Sequence, residues 1–305
     1  MCIRDRVTGN FCEIYGLEIV NFPDDGIDVT FGDFCIVGAP NKGNVIYNNG
    51  SPIDFFPGAP GTGPWDGCGI VMKNGASNTI VQGNIVGTNY TQTINGGNEY
   101  CGIIVQDNCT QNLIGGSGPG EANIIAFNEA GVRISNTSFG CRITQNYMYC
   151  NSIVGIQLLG TGNQFQAAPT IINASTTAIT GVAAPNDFIE VFANNDSLCV
   201  GAPCQGGPFL GIVQADASGA WTLSAPFANS LANVNNVVAT ATDNNNNTST
   251  FSTCFSLSNC SSFPSSAFAA NASCGLNNGA VISQPNGGTA PYLSLIHISE
   301  PTRPY

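Results

Sequence analysis

Along the first half of the chain, short apolar runs sit between a polar residue and an asparagine five positions later, and a Gly-Ile or Gly-Val pair follows each run. The units are Gly16-Leu17-Glu18-Ile19-Val20-Asn21, Asn44-Val45-Ile46-Tyr47-Asn48-Asn49, Asn84-Ile85-Val86-Gly87-Thr88-Asn89, Asn123-Ile124-Ile125-Ala126-Phe127-Asn128 and Asn146-Tyr147-Met148-Tyr149-Cys150-Asn151. The closing pairs begin at Gly26, Gly69, Gly102, Gly131 and Gly155, so they fall 43, 33, 29 and 24 residues apart. A further strand containing Ile14, Ile36, Ile80, Ile114 or Ile143 precedes each unit. Runs this short, with no helical period, predict β-strands. Constant strands at shrinking intervals predict a repeating coil whose loops vary in length. The longest inserts are Ser51–Asp66 and Tyr90–Glu99. Glu18 falls where the other units carry Ile46, Val86, Ile125 and Met148, which a one-residue shift of the first unit repairs.

Stacked coils account for the residue types. Ile and Val fill a narrow core, and Asn suits corners because it tolerates left-handed backbone and can bond the Asn of the next coil. Glycine before the last strand is expected to permit a sharp bend. These features over about residues 7–165 resemble the right-handed parallel β-helix repeats of the pectin-lyase-like superfamily. That resemblance implies a fold and leaves activity open.

The pattern changes near Pro169. Residues 169–257 carry strand signals at Phe188–Phe192, Leu210–Gln214, Ala220–Leu223 and Val237–Thr242, with Asp216-Ala217-Ser218-Gly219 as an expected hairpin turn. Short strands at this spacing predict a β-sandwich. The runs from Phe188 to Asn194, Phe209 to Gly211 and Ala239 to Asp243, followed by Asn247-Thr248-Ser249, resemble bacterial immunoglobulin-like modules. Residues 263–292 form a third piece. Its segments Asn271-Ala272-Ser273-Cys274, Asn278-Gly279 and Gly287-Gly288-Thr289-Ala290-Pro291-Tyr292 resemble the start of an SprB-type repeat, a module of surface adhesins in Bacteroidota. The expected fold class is therefore all-β: a right-handed parallel β-helix, an immunoglobulin-like sandwich and a partial β repeat.

The two ends read as something other than protein. Met1-Cys2-Ile3-Arg4-Asp5 can be encoded by ATGTGTATAAGAGAC followed by AG, and the reverse complement of that string encodes Leu293-Ser294-Leu295-Ile296-His297. An inverted repeat at both ends of one frame resembles a translated sequencing adaptor, covering residues 1–6 and 293–305. Removing them takes away His297, the only histidine, and leaves Lys42, Lys73, Arg133 and Arg142 as the only cations. The chain then reads as an internal fragment of a larger protein.

Composition narrows the function classes. The net charge of −12 and the scarcity of basic residues argue against nucleic acid. No apolar run reaches the ~20 residues that span a membrane. Many cysteines with no CxxC pair argue against a zinc ribbon and for disulfides in an oxidising compartment, with reduced cytosolic thiols as the alternative.

Four sets of residues are candidates for chemistry. Asp24, Asp25 and Asp28 form the densest carboxylate cluster, read as a calcium site, an acid/base pair or an ordinary corner turn. Cys68 and Cys101 share one register, so stacking brings them ~4.8 Å apart, as a disulfide or an unbonded thiol row. Cys199 and Cys204 bracket a short loop and are expected to bond each other. Phe55, Phe56 and Trp65 in the longest insert are read either as a platform for a sugar ring or as anchors of that loop. Asp243 and Asn244–Asn247 are read as a turn, with a cation loop as the alternative. Resemblance to polygalacturonases would require Asn-Thr-Asp, Gly-His-Gly and Arg-x-Lys motifs, and none occurs. Arg133 is expected to project outward from its coil.

The expected function is adhesion, or the binding of extracellular polysaccharide or a cell surface, by a secreted or surface-anchored bacterial protein with the β-helix as rigid scaffold. No cofactor is expected, calcium apart. A β-helix lyase or hydrolase and a passive spacer are the alternatives.

Overall fold

A computed structural model describes residues 6–50, 67–194, 199, 204–232 and 234–257, together with the backbone of strands Ser265–Ala270 and Ala280–Pro285. Residues Met1–Ser258 form one compact unit, and Asn259–Tyr305 a second.

The first unit begins with five coils of parallel β-helix and three sheets. Sheet 1 has six strands, Arg6–Val7, Ile27–Thr30, Ile70–Lys73, Cys101–Val105, Ala130–Ile134 and Val154–Leu158. Sheet 2 stacks Glu13–Ile14, Ile36–Val37, Ile80–Val81, Leu113–Gly115 and Arg142–Thr144. Sheet 3 stacks Glu18–Val20, Val45–Tyr47, Ile85–Val86, Ile124–Ala126 and Tyr147–Tyr149.

The register follows the apolar pattern. Ile27, Ile70, Ile103, Val132 and Ile156 pair in one row of sheet 1, and all five are buried in the central core. In sheet 3 the row is Ile19, Ile46, Val86, Ile125 and Met148. Ile19 rather than Glu18 occupies the first place, so the first unit is indeed displaced by one residue. In sheet 2 the inward row is Ile14, Val37, Val81, Ile114 and Ile143. Ile36 and Ile80 alternate to the outer face, one position from where an isoleucine-led reading puts them.

Two asparagine ladders run through the coil. Asn44 Nδ2 donates to Asn84 Oδ1 at 3.0 Å, Asn84 to Asn123 at 3.0 Å, and Asn123 to Asn146 at 2.9 Å. In the second ladder Asn49 donates to Asn98 at 2.9 Å, Asn98 to Asn128 at 2.9 Å, and Asn128 to Asn151 at 3.1 Å. Each of the six acceptor oxygens also takes the backbone N–H of the residue whose side chain it binds, so one amide satisfies two buried donors. Asn98, inside the Tyr90–Glu99 insert, fills the place that the spacing assigns to Asn89. The left-handed corner is a separate position, held by Asn21, Asn48, Gly87, Phe127 and Cys150.

The closing glycines serve stacking, not bending. Among Gly26, Gly69, Gly102 and Gly131 none has positive φ. A Cβ on Gly26, Gly69 or Gly102 would stand 2.7 Å from the glycine carbonyl oxygen of the next coil. Glycine is required because the neighbouring backbone comes that close.

Seven antiparallel strands follow. Thr170–Ala174, Ala178–Val182 and Ala220–Ser224 form one sheet, and Phe209–Gln214, Phe188–Asn194, Asn236–Thr242 and Phe255–Ser256 the other. Their inner faces share one core, with Ile171, Ile179 and Trp221 from the first sheet against Ile189, Val191, Leu210 and Val237 from the second. Asp216–Gly219 is a turn, but its two flanking strands belong to different sheets, so it carries the chain across the sandwich and does not close a hairpin. In the second unit Ser265–Ala270 pairs antiparallel with Ala280–Pro285. Among the described residues no helix is long and apolar enough to cross a membrane.

Candidate functional site

Sheet 1 is buried on both faces. Its inner face lines the coil, and its outer face carries the paired row Asp28, Val71, Ile104, Arg133 and Gln157. Alternation along each strand puts these residues opposite the core isoleucines. Cys68, Val71, Cys101, Ile104 and Ala130 form their own apolar cluster there, with Tyr100 and Val154 against it.

The acidic corner lies at one end of this face. Asp25 is 3 % exposed, and its Oδ1 accepts the backbone N–H groups of Gly67 at 3.1 Å and Cys68 at 3.0 Å. Burial pushes its carboxyl up to about 7 against the pull of the Cys68 N–H, and neighbouring Asp24 adds to the rise. Asp28 accepts from the Thr30 hydroxyl and pairs with Lys73 Nζ at 2.8 Å. Asp25 thus faces backbone donors while Asp28 faces a cation. The calcium reading of Asp24, Asp25 and Asp28 finds no ligand set: among the described residues no group of three or more His, Cys, Asp or Glu side chains is arranged to hold a metal ion.

Further along, Arg133 projects from the outer face as expected, yet it is buried there, at 2 % exposure. Its Nε donates to Gln157 Oε1 at 2.7 Å, and it pairs with Glu129 at 3.3 Å. Cys68 and Cys101 stand side by side as thiols joined by a side-chain hydrogen bond, which together with burial raises the Cys68 pKa. Phe55, Phe56 and Trp65 lie outside the described residues.

The expected bond between Cys199 and Cys204 is corrected. Cys199 bonds Cys150, with Cα atoms 5.5 Å apart, and Cys204 bonds Cys254, at 5.7 Å. Cys150 sits on the last coil, so the first bridge ties β-helix to sandwich. Sequence alone cannot choose among connectivities, because the partners lie 49 and 50 residues away.

That bridge belongs to a larger joint which the sequence pattern does not announce. The last coil would present a free edge, yet the sandwich meets every strand of it. On sheet 2, Gly140 N donates to Asn247 Oδ1 at 2.7 Å and Ile143 N to Thr248 Oγ1 at 2.9 Å. Glu190, buried, accepts from the Thr144 hydroxyl and from Gln145 N, and burial raises its pKa. On sheet 3, Met148 N donates to Gly206 O at 2.7 Å. Against sheet 1, the ring of Phe251 stands 2.6 Å from where a Cβ on Gly155 would be, the place a next coil's carbonyl takes elsewhere. Asp243 accepts the N–H groups of Asn245 and Asn247, both at 2.8 Å, which confirms a turn and aims Asn247 at the coil. Asn247 and Thr248 were visible as part of a module signature, but their role depends on residues more than 100 positions earlier.

No protein-family model matches this chain, and no curated protein matches it.

Proposed function

We propose that this chain is a stiff scaffold from a secreted or cell-surface bacterial protein, serving adhesion or the binding of glycans and surfaces. The observation that carries this reading is the joint. A sandwich that docks onto three edge strands and is bolted there through Cys150 makes the two folds one body, which suits a stalk or platform that transmits load. Two disulfides fit an oxidising environment. The immunoglobulin-like character of the sandwich, the SprB-type character of the last piece and an origin in Bacteroidota belong to the same proposal, on the motifs given above.

The test is binding of the purified chain to immobilised extracellular polysaccharides and to bacterial and host cells. Saturable binding supports adhesion. Absence of binding, with unchanged adhesion of the parent protein after removal of the β-helix, identifies a passive spacer.

A second reading, a β-helix polysaccharide lyase or hydrolase, is favoured by Asp25 alone: a buried carboxyl that titrates near 7 beside the Asp28–Lys73 pair is the kind of group that acid/base catalysis uses. Turnover of uronic-acid polymers, with and without calcium, that vanishes in Asp25→Asn would replace the scaffold reading with this one.

A further inference from the structure

One corner of the coil carries a Gly-x-Phe-Cys tetrapeptide twice. Gly9-Asn10-Phe11-Cys12 and Gly32-Asp33-Phe34-Cys35 each run directly into a strand of sheet 2. Stacking superimposes them residue on residue. Glu13 pairs with Ile36, and Ile36 N donates to Cys12 O at 2.7 Å. Phe11 N donates to Asp33 O at 2.9 Å, Asp33 N donates to Asn10 Oδ1 at 3.0 Å, and the two phenyl rings stack with centroids 5.3 Å apart and planes 8° from parallel.

The two sulfurs converge. Cys12 Sγ and Cys35 Sγ both donate to the carbonyl oxygen of Gly9, at 3.2 and 3.3 Å. The glycines leave the room the sulfurs take: a Cβ on Gly32 would lie 2.9 Å from Cys35 Sγ, and one on Gly9 3.4 Å from Cys12 Sγ. Adjacent strands place these α-carbons ~4.8 Å apart, inside the span a disulfide bridges.

The corresponding corner residues of the later coils are Thr79, Asn112 and Cys141, as the bonds Ile80 N to Cys35 O, Leu113 N to Thr79 O and Arg142 N to Asn112 O fix. Cys141 therefore has Asn112, not a cysteine, at the same corner of the preceding coil. Cys109 sits three residues earlier in its coil and gives its thiol to Gln106 O. Burial pushes both of those thiols up to about 12. Paired and reachable from solvent at once describes Cys12 and Cys35, since Cys12 is partly exposed while Cys35 is buried.

We propose that Cys12 and Cys35 are a redox-active dithiol that closes as a disulfide between adjacent coils. The oxidant is an external disulfide of the small-molecule class, such as oxidised glutathione. Cys12, as thiolate, attacks one sulfur of it, forming a mixed disulfide and releasing one thiolate. Cys35 loses its proton to solvent and attacks the Cys12 sulfur, and the second external thiolate leaves. Two protein thiols have then lost two electrons and two protons, and one external disulfide has become two thiols. Exposure sets the order of attack, and burial raises the Cys35 pKa, which suits it to the second, intramolecular step. The bridge would pin the β-helix at the end opposite the two disulfides of the sandwich joint.

The full chain, with its existing disulfides intact, is incubated with oxidised glutathione at about pH 8, alkylated and mapped by peptide mass. The expected product is a peptide pair linked through Cys12 and Cys35. Cys35→Ser is expected to accumulate glutathione on Cys12, and Cys12→Ser to leave Cys35 reduced. Serine at either position changes one atom, and circular dichroism confirms that the variants fold. A lasting glutathione adduct on Cys12 of the unsubstituted chain with Cys35 still alkylatable, a Cys12 bond between two chains, or no reaction would each overturn the proposal.

Discussion

Gln205 ends the second asparagine ladder. Its Oε1 accepts Asn151 Nδ2 at 2.7 Å and Asn151 N at 3.3 Å, while its own Nε2 donates back to Asn151 O at 2.7 Å. Each ladder oxygen accepts the same two donors from the asparagine before it, so a glutamine of the sandwich does the work of a further coil. Its backbone is fixed in turn by Gln205 N donating to Asn194 Oδ1 at 3.1 Å.

Gln205→Ala leaves the backbone N–H and carbonyl of Asn151 without partners and its Nδ2 with Ile125 O alone. An unsatisfied buried group costs ~1–3 kcal/mol, so the loss in urea denaturation is expected to be about 3 kcal/mol. A change under 0.5 kcal/mol would mean that solvent reaches the joint.

Within the first ladder, Asn123→Asp keeps the oxygen that serves Asn84 but removes the Nδ2 that serves Val81 O at 2.7 Å and Asn146 Oδ1 at 2.9 Å. A buried carboxylate then faces two acceptors. Destabilisation of roughly 3 kcal/mol or more is expected at neutral pH. It should shrink at about pH 4, where the protonated acid donates one bond again. Urea midpoints at the two pH values check this.

The coil was legible in the sequence because its rule is local. A strand with one face turned into the coil repeats every turn, and Ile27, Ile70, Ile103, Val132 and Ile156 mark the inner row. Residue type alone does not set the register: Ile36 and Ile80 are as apolar as their neighbours, yet alternation gives Val37 and Val81 the core. Asn98 was hidden inside the insert that follows Asn89. The acidic corner was legible as a cluster, but which carboxylate meets backbone and which meets Lys73 depends on coils 42 to 45 residues further on. The joint was illegible for the same reason, since Glu190, Gln205, Asn247 and Thr248 each look like an ordinary polar loop or strand residue. The doubled Gly-x-Phe-Cys is a local signal, but it spans two coils only and is not part of the repeat that runs through all five.

The disulfide connectivity gives a sharp outcome. Non-reducing peptide mapping should return Cys150–Cys199 and Cys204–Cys254, and a Cys199–Cys204 peptide would contradict the joint. Closing loops of this length restricts the unfolded chain by about 4 kcal/mol per bridge on the entropic model. Cys204→Ser with Cys254→Ser should therefore lower the melting temperature by several degrees.

Asp25 sets a pH dependence. Its folded value of about 7 lies above the ordinary 3.8, so between those values the folded chain holds a proton that the unfolded chain has released. Stability from this residue is complete below about pH 4 and is lost as pH rises through 7. Three units correspond to about 4 kcal/mol as an upper bound. Asp25→Asn keeps an oxygen for Gly67 and Cys68 N–H and should flatten the decline between pH 4 and 7. An unchanged slope would place the titration elsewhere, with Glu190, also raised by burial, the first group to test.

The claim that coil and sandwich are one body is tested most directly by hydrogen exchange at the backbone amides of Ile143 and Met148. These point out of the last coil and have no partner but Thr248 Oγ1 and Gly206 O. If the sandwich replaces a coil, both amides exchange only through global unfolding, at the same free energy as the interior strand amides of Ile114 and Ile125. Exchange at the rate of a free strand edge, with the sandwich amides still protected, would show two folds that merely touch.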